Sequence, residues 1–187
     1  TGEPKEVDLA RPPTVRSLLT HTSGLSYDFL EDFPVAELYR QAGILNNAES
    51  TLEELVHELS RLPLAFQPAS NWHYSLGIDV AARLIEIISG QALEQFLKEN
   101  IFDPLGMVDT GFSVDPEEQH RIAAMYGLPD LCSPKMTMSK LFDAWSSGFN
   151  ERIDVSATYP ASKSVAFARG GHGLFSTSWD YLRFSQM

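Results

Sequence analysis

The chain of 187 residues carries 14 basic and 25 acidic side chains, which gives a formal net charge of −11. This acidic balance argues against a nucleic-acid partner, because a phosphate backbone is bound by clustered lysine and arginine. A single cysteine, Cys132, excludes an internal disulfide framework and a multi-cysteine zinc site, and we expect it to be a small buried hydrophobe. The chain begins at Thr1 without a signal-peptide pattern, and no apolar run approaches the length of a membrane span.

The first part of the chain carries clear signals for short helices. Thr14 is a candidate N-cap of a helix that ends before Gly24. A second helix is expected over residues 35–42. Thr51 and Glu54 have the spacing of a capping box, which predicts the start of a third helix.

Longer helical patterns follow a proline-rich connection over residues 63–71. Apolar side chains recur at helical spacing from Leu76 to Gly90, and a second such pattern covers residues 91–101. Asp115 stands directly before a proline, an arrangement typical of a helix start. This part of the sequence therefore predicts a mainly helical region.

The last part of the chain carries weaker signals. Residues 126–170 have no clean periodicity, so we expect loops with short helices or strands there. Thr177 and Asp180 have the spacing of a capping box and predict a final helix. The whole sequence is thus helix-rich, with little strand.

Motif searches exclude several classes of site. No two histidines have the spacing of a zinc-hydrolase helix, and the glycine turn (residues 170–173, Gly-Gly-His-Gly) lacks the lysine and serine or threonine of a P-loop. We therefore predict no metal and no cofactor. Neither a Gly-x-Ser-x-Gly nor a Ser-x-x-Lys motif is present in the sequence. The residues three positions before the lysines are Gly2, Gln95, Cys132, Thr137 and Pro160.

Three segments carry the most specific pattern in the chain. They are TVRSLLTHTSGL at residues 14–25, FQPASNWHYS at 66–75 followed by ISG at 88–90 and DPLGMVDT at 103–110, and GGHGLFSTSWDYLRF at 170–184. In this order and at this spacing they resemble the serine β-lactamase-like family. That family includes class C β-lactamases, D-alanyl-D-alanine carboxypeptidases and family VIII carboxylesterases.

The resemblance implies an α/β fold of the β-lactamase/transpeptidase type, in which a mainly helical domain is inserted into a sheet flanked by helices. The chain then corresponds to the central part of that fold, mostly the inserted helical domain and its return. We expect a leading segment over residues 1–25, a helical region over 26–125 that contains the tyrosine loop (residues 66–75), and a return segment over 126–187. Thr1 and Met187 are interpreted as the edges of an excerpt from a longer protein.

The chemistry implied by the resemblance is acyl transfer through a serine ester. In the family a serine and a lysine lie three residues apart on one helix, and a tyrosine from a separate loop relays the proton. By the family pattern this tyrosine is Tyr74, and the Ser-x-x-Lys nucleophile lies outside this chain. His172 in the glycine turn and the neighbours Ser75 and Leu76 are candidate substrate-binding residues.

Position 76 departs from the family pattern. Lactamases and peptidases of the family usually read Tyr-x-Asn, whereas this chain reads Tyr74-Ser75-Leu76. A leucine cannot hydrogen-bond the amide arm of a substrate, so the departure favours an ester. Ser75 is interpreted as a local cap rather than a nucleophile, and His21 as scaffold rather than chemistry.

These observations predict a serine hydrolase, a carboxylesterase that acts on a small-molecule ester through an acyl-enzyme. A β-lactamase or D-alanyl-D-alanine carboxypeptidase is the alternative in the same class. A non-catalytic helical fragment or binding module is the alternative in a different class. Because the chain lacks Ser-x-x-Lys and a terminal Lys-Thr-Gly motif, we expect little or no catalysis from it alone.

Overall fold

The computed structural model describes residues 5–44, 50–127, 137–147, 151–153 and 168–187. Cys132 lies outside these residues. The helices within them are α1 (Val15–Leu19), α2 (Val35–Gln41), α3 (Leu52–Leu59), α4 (Gly77–Ser89), α5 (Leu93–Leu97), α6 (Asp103–Leu105), α7 (Met138–Ser147) and α8 (Ser178–Ser185).

Two further helical turns and two strands complete the described parts of the chain. A π-helical turn, Lys98–Phe102, joins α5 to α6, and a 3₁₀ turn covers Pro116–Arg121. Strands β1 (Met125–Gly127) and β2 (Glu151–Ile153) pair antiparallel, with Tyr126 opposite Arg152. The prediction of a helix-rich chain with little strand is confirmed for the described residues.

The helix starts predicted from capping residues are confirmed at α1 and α3. At α1 the Thr14 and Ser17 side chains each accept a hydrogen bond from the backbone N–H of the other residue, at 3.2 and 2.8 Å. Thr51 and Glu54 form the same reciprocal pair at α3. Helices this short are marginal in water, so capping helps to fix where they begin while packing against the core stabilises them.

The predicted capping box at α8 is wrong in its acidic half. Thr177 accepts a hydrogen bond from the backbone N–H of Asp180 at 3.2 Å, as predicted. The Asp180 carboxylate instead accepts from the backbone N–H of Asp109 and the hydroxyl of Thr110, at 2.8 and 2.9 Å. Asp180 is buried and ties α8 to the segment after α6 rather than to its own helix start.

The predicted helix at Asp115 is also corrected. The segment after it, Pro116–Arg121, is a 3₁₀ turn, and the Asp115 side chain makes no capping hydrogen bond there. The proline at the first position correctly predicted a helical turn. The side chains of this turn are all exposed, so no apolar face stabilises a longer helix.

The core is one cluster of buried side chains from α1 to α4 and the segments between them, joined by side chains of α5 and α7. One face of α3 is apolar and packs inward, since its Leu52, Leu55 and Leu59 side chains are buried. Each such side chain contributes about 1.5–3 kcal/mol on burial. Tyr39 of α2 and Leu76 have no exposed surface at all.

The start of α4 lies directly against α1. A Cβ atom placed on Gly77 would stand 2.5 Å from the carbonyl oxygen of Leu18, a separation that real side chains do not reach. Glycine at this position therefore permits the close approach of the two helices. The approach fixes the end of the tyrosine loop against the segment that contains α1.

Candidate active site

The tyrosine loop is held along its length by backbone hydrogen bonds to the turn after α1. Ala69 donates to the carbonyl oxygen of Thr22 at 2.7 Å, and His73 donates to that of His21 at 2.9 Å. Ala65, just before the loop, donates to Gly24 at 2.7 Å. These bonds join two of the three segments that carry the family resemblance, and they fix the backbone conformation of the loop.

The Tyr74 ring is half-buried between two other aromatic rings. The His21 and Tyr27 rings both lie 5.0 Å from it, centroid to centroid, and both are tilted against it. Tyr74 also packs against the hydrophobic core. A phenol that is fixed on two sides while part of its surface stays open meets the requirement for a positioned proton carrier.

Ser75 and Leu76 point inward. The Ser75 side chain is 1% exposed, accepts a hydrogen bond from the backbone N–H of Gly77 at 3.4 Å, and lies 3.2 Å from Nδ1 of His21. The N-cap of α4 is Leu76 and no side chain caps that helix, so the interpretation of Ser75 as a local cap stays a prediction. Leu76 belongs to the core. Contact of either residue with a substrate stays a prediction.

His73 is a site residue that sequence reasoning missed. Its Nε2 atom lies 3.0 Å from the Ser26 hydroxyl, and the Phe33 ring packs against it edge-on at 4.9 Å. Burial is the main cause that lowers the pKa of His73. The neutral imidazole therefore holds the loop to Ser26.

Asp79 was also missed, and it connects α4 to the glycine turn. Its side chain is fully buried, and Oδ1 accepts hydrogen bonds from the backbone N–H groups of Gly170 and Gly171 at 3.0 and 3.2 Å. The other carboxylate oxygen receives no hydrogen bond from the described residues. Burial raises the pKa of Asp79, and the backbone donors of the turn oppose that rise.

The glycine turn lies so close to α4 that position 170 has no room for a side chain. A Cβ atom on Gly170 would overlap the carbonyl oxygen of Ile78 and stand 2.8 Å from the Cβ atom of Ala82. A Cβ atom on Gly171 would lie 3.4 Å from the Tyr27 hydroxyl. The turn therefore adjoins the Tyr27 ring that packs on Tyr74.

His172 lies on the wall of a cavity beside α4. The cavity has a volume of about 380 Å³, and burial lowers the pKa of His172. Its walls are mostly apolar, and the lining side chains nearest the middle of α4 are Ile78, Ala81, Ala82 and Ile85. Gly171, the neighbour of His172, lies close to the Tyr27 hydroxyl, whereas Leu76 belongs to the core and Ser75 is buried.

The described residues also limit other kinds of site. Among them, no group of three or more histidine, cysteine, aspartate or glutamate side chains could hold a metal ion. None of the helices in the described ranges has the length and apolar character needed to cross a bilayer.

Comparison with known proteins defines the class. Residues 6–187 match the family model described as Beta-lactamase. The solved structure of EstCE1, a hydrolase with promiscuous acyltransferase activity, superposes with a TM-score of 0.70 at 28% sequence identity, covering 94% of this chain and 46% of that chain. The described helices are thus a helix-rich part of a β-lactamase/transpeptidase-like fold. The chain belongs to the β-lactamase family.

Two curated relatives of the chain are esterases. Lovastatin esterase of Penicillium rubens is 37% identical over 174 residues, which are 93% of this chain and 39% of the relative. Esterase EstB of Burkholderia gladioli is 32% identical over 190 residues, which cover 96% of this chain and 45% of the relative. The chain therefore spans less than half the length of each of these relatives.

Proposed function

We propose that this chain is the central part of a carboxylesterase that acts through an acyl-enzyme. Its leading segment (1–25), helical region (26–125) and return segment (126–187) would form one side of the active site. The Ser-x-x-Lys nucleophile would lie outside this chain. The family membership, and two relatives that are both esterases, support this assignment.

Tyr74 is the residue of this chain that takes part in the reaction. Tyr74 acts as the phenolate and accepts the serine proton while the serine oxygen bonds to the ester carbonyl carbon. When the carbonyl carbon–oxygen bond of the ester breaks, the same proton passes from Tyr74 to the departing alkoxide, which leaves as the alcohol. Water then hydrolyses the acyl-serine, and Tyr74 serves again in the second half. The half-buried ring, held between His21 and Tyr27, supports this role because a relay must keep one position through both halves.

One observation carries the preference for an ester over an amide or a β-lactam. Leu76 is fully buried in the core, so no polar side chain at this position reaches the amide arm of a substrate. An ester has no such arm to satisfy. His172, on the cavity wall, is the proposed substrate contact on the other side of the site, beside the apolar lining that an acyl chain would fill.

The test compares two chromogenic substrates on the full-length protein. The value of kcat/KM for p-nitrophenyl butyrate should exceed that for a chromogenic cephalosporin by at least about 100-fold, or about 2.7 kcal/mol. Leu76→Met, which conserves volume and apolarity, should keep this ratio. A cephalosporin turned over faster than the ester would show the lactamase alternative to be correct, and the absence of both activities would favour a binding module.

A further inference from the structure

We propose that His21 is the positioning residue for Tyr74: it holds the phenol in the orientation that proton transfer requires, without itself touching the substrate. The proposal deepens the proposed function and rests on it for the role of Tyr74. The placement of the Tyr74 ring by His21 can be tested separately.

The backbone of His21 has a conformation that needs an explanation. Its φ is +54°, in the left-handed region, and among the described residues other than glycine only Ala69 shares that region, with a φ of +64°. Side chains with a Cβ atom rarely adopt this conformation, and it persists where the surroundings impose it. Both residues lie in the hydrogen-bonded contact between the tyrosine loop and the turn after α1.

Backbone hydrogen bonds on both sides impose the conformation of His21. The N–H of Thr22 donates to the carbonyl oxygen of Ser17 in α1 at 2.8 Å. The carbonyl oxygens of Thr22 and His21 accept from Ala69 and His73 of the tyrosine loop. The backbone of His21 is therefore fixed between α1 and the tyrosine loop, which restricts the orientation of its side chain.

The His21 side chain takes the direction of Tyr74. Its ring lies 5.0 Å from the Tyr74 ring with the planes at 57°, and 6.2 Å from the Trp72 ring with the planes at 80°. Its Nδ1 atom lies 3.2 Å from the Ser75 hydroxyl. Together with the backbone bond to His73, His21 contacts every residue from Trp72 to Ser75.

The pair of His21 and Ser75 has the elements of a nucleophile and its base, but the geometry gives it a different task. Ser75 is 1% exposed and accepts a hydrogen bond from the backbone N–H of Gly77, so its hydroxyl is not presented as an open nucleophile. Burial lowers the pKa of His21, which leaves a neutral ring that exchanges a hydrogen bond with Ser75. The contact thus fixes the ring of His21, and through it the ring of Tyr74.

The first arm of the test observes Tyr74 directly. In full-length protein labelled with ring-¹³C tyrosine, Tyr74 is assigned by the signal that Tyr74→Phe removes, and the wild type should give one narrow signal. His21→Asn keeps a residue that tolerates the left-handed backbone but removes the ring. We expect the Tyr74 signal to shift and to broaden or split. His57→Asn, an exposed histidine on α3, is the matched control and should leave the signal unchanged.

The second arm measures ester hydrolysis in the same proteins. His21→Asn should lower kcat by about 10- to 100-fold, the effect of a misplaced catalytic group, while KM changes less than about twofold. Ser75→Ala should give a smaller loss in kcat, and the double variant should lose less than the product of the two single losses. If His21→Asn does not fold, His21→Gly replaces it, since glycine accepts the left-handed backbone.

The outcomes separate the two ideas. An unchanged Tyr74 signal in the folded His21 variant, or an unchanged kcat beside a changed signal, overturns the positioning role. A wild-type protein that hydrolyses no ester, but whose Tyr74 signal still depends on His21, contradicts the proposed function and leaves the placement of the ring by His21 supported.

Discussion

Three histidines around the tyrosine loop share one electrostatic property. Burial is the largest cause that lowers the pKa values of His21, His73 and His172. All three are therefore neutral at physiological pH and can exchange hydrogen bonds without adding positive charge beside Tyr74. In the proposed reaction, proton transfer is then left to the phenol of Tyr74.

The lowered pKa of His73 predicts how stability changes with pH. The unfolded chain binds a proton near the ordinary value of 6.5, whereas the folded chain binds it only at lower pH. Lowering the pH through 6.5 therefore protonates the unfolded state first, and the free energy of unfolding falls until the folded pKa is reached. The slope contributed by His73 is at most about 1.4 kcal/mol per pH unit.

Urea unfolding at pH 7.5 and pH 5.5 measures that slope. His73→Gln should have a smaller loss of stability between the two pH values than the wild type, while His57→Gln on the exposed side of α3 should match the wild type. Equal losses in all three proteins would contradict the burial of a neutral His73.

Sequence reasoning identified Tyr74 as a candidate but could not identify its neighbours. Tyr74 stands in a motif that resembles a known family. Asp79 stands in the first turn of a helix, where an aspartate is already explained by its favourable interaction with the helix dipole. Its partners, Gly170 and Gly171, lie 91 and 92 positions away along the chain. Likewise the ring contacts of His21 depend on its left-handed backbone conformation, which the pattern of side chains in the sequence does not predict.

At the scale of the elements, capping residues and apolar spacing predicted where most helices start. They did not predict which helices would be 3₁₀ or π rather than α. Thr14 and Thr51 act within a few residues of their own position, so their capping boxes could be predicted from spacing. The π-helical turn Lys98–Phe102 interrupts a pattern that predicts one continuous helix. The Asp180 carboxylate does not complete the capping box, because it accepts hydrogen bonds from the backbone N–H of Asp109 and the hydroxyl of Thr110 instead.

The contact between α4 and the glycine turn should be sensitive to substitution, because it leaves no space for a side chain at position 170. Gly170→Ala places a methyl group against the Ile78 carbonyl and Ala82, so the turn must move away from α4 and lose its bonds to Asp79. We expect a loss of about 1–3 kcal/mol in the free energy of unfolding, the usual range for overpacking.

Gly111→Ala is the control for that substitution. The nearest atom to a Cβ at Gly111 is 3.8 Å away, so the added methyl group has room and the change should stay within about 0.5 kcal/mol. Both values come from urea or thermal unfolding of the purified variants. Equal stability of the two variants would mean that the turn does not lie against α4 as described.

At the scale of the whole molecule, the order of three motifs predicted the family where composition could not. A net charge of −11 and a helix-rich pattern fit many acidic proteins. The described parts hold two strands of three residues each, so the sheet of an α/β fold could not be inferred from this chain's own periodicity. The match of residues 6–187 to the family model confirms the family that the motifs predicted.

The central claim is that the Tyr74 phenol carries protons in ester hydrolysis, and Tyr74→Phe in the full-length protein tests it most directly. Tyr74→Phe keeps the ring that packs on His21, Tyr27 and the core, so the melting temperature should match that of the wild type. The value of kcat/KM for p-nitrophenyl butyrate should fall by about 10²–10⁴-fold. Tyr126→Phe, at an exposed tyrosine of β1, should retain wild-type turnover. Wild-type turnover in folded Tyr74→Phe would contradict the account.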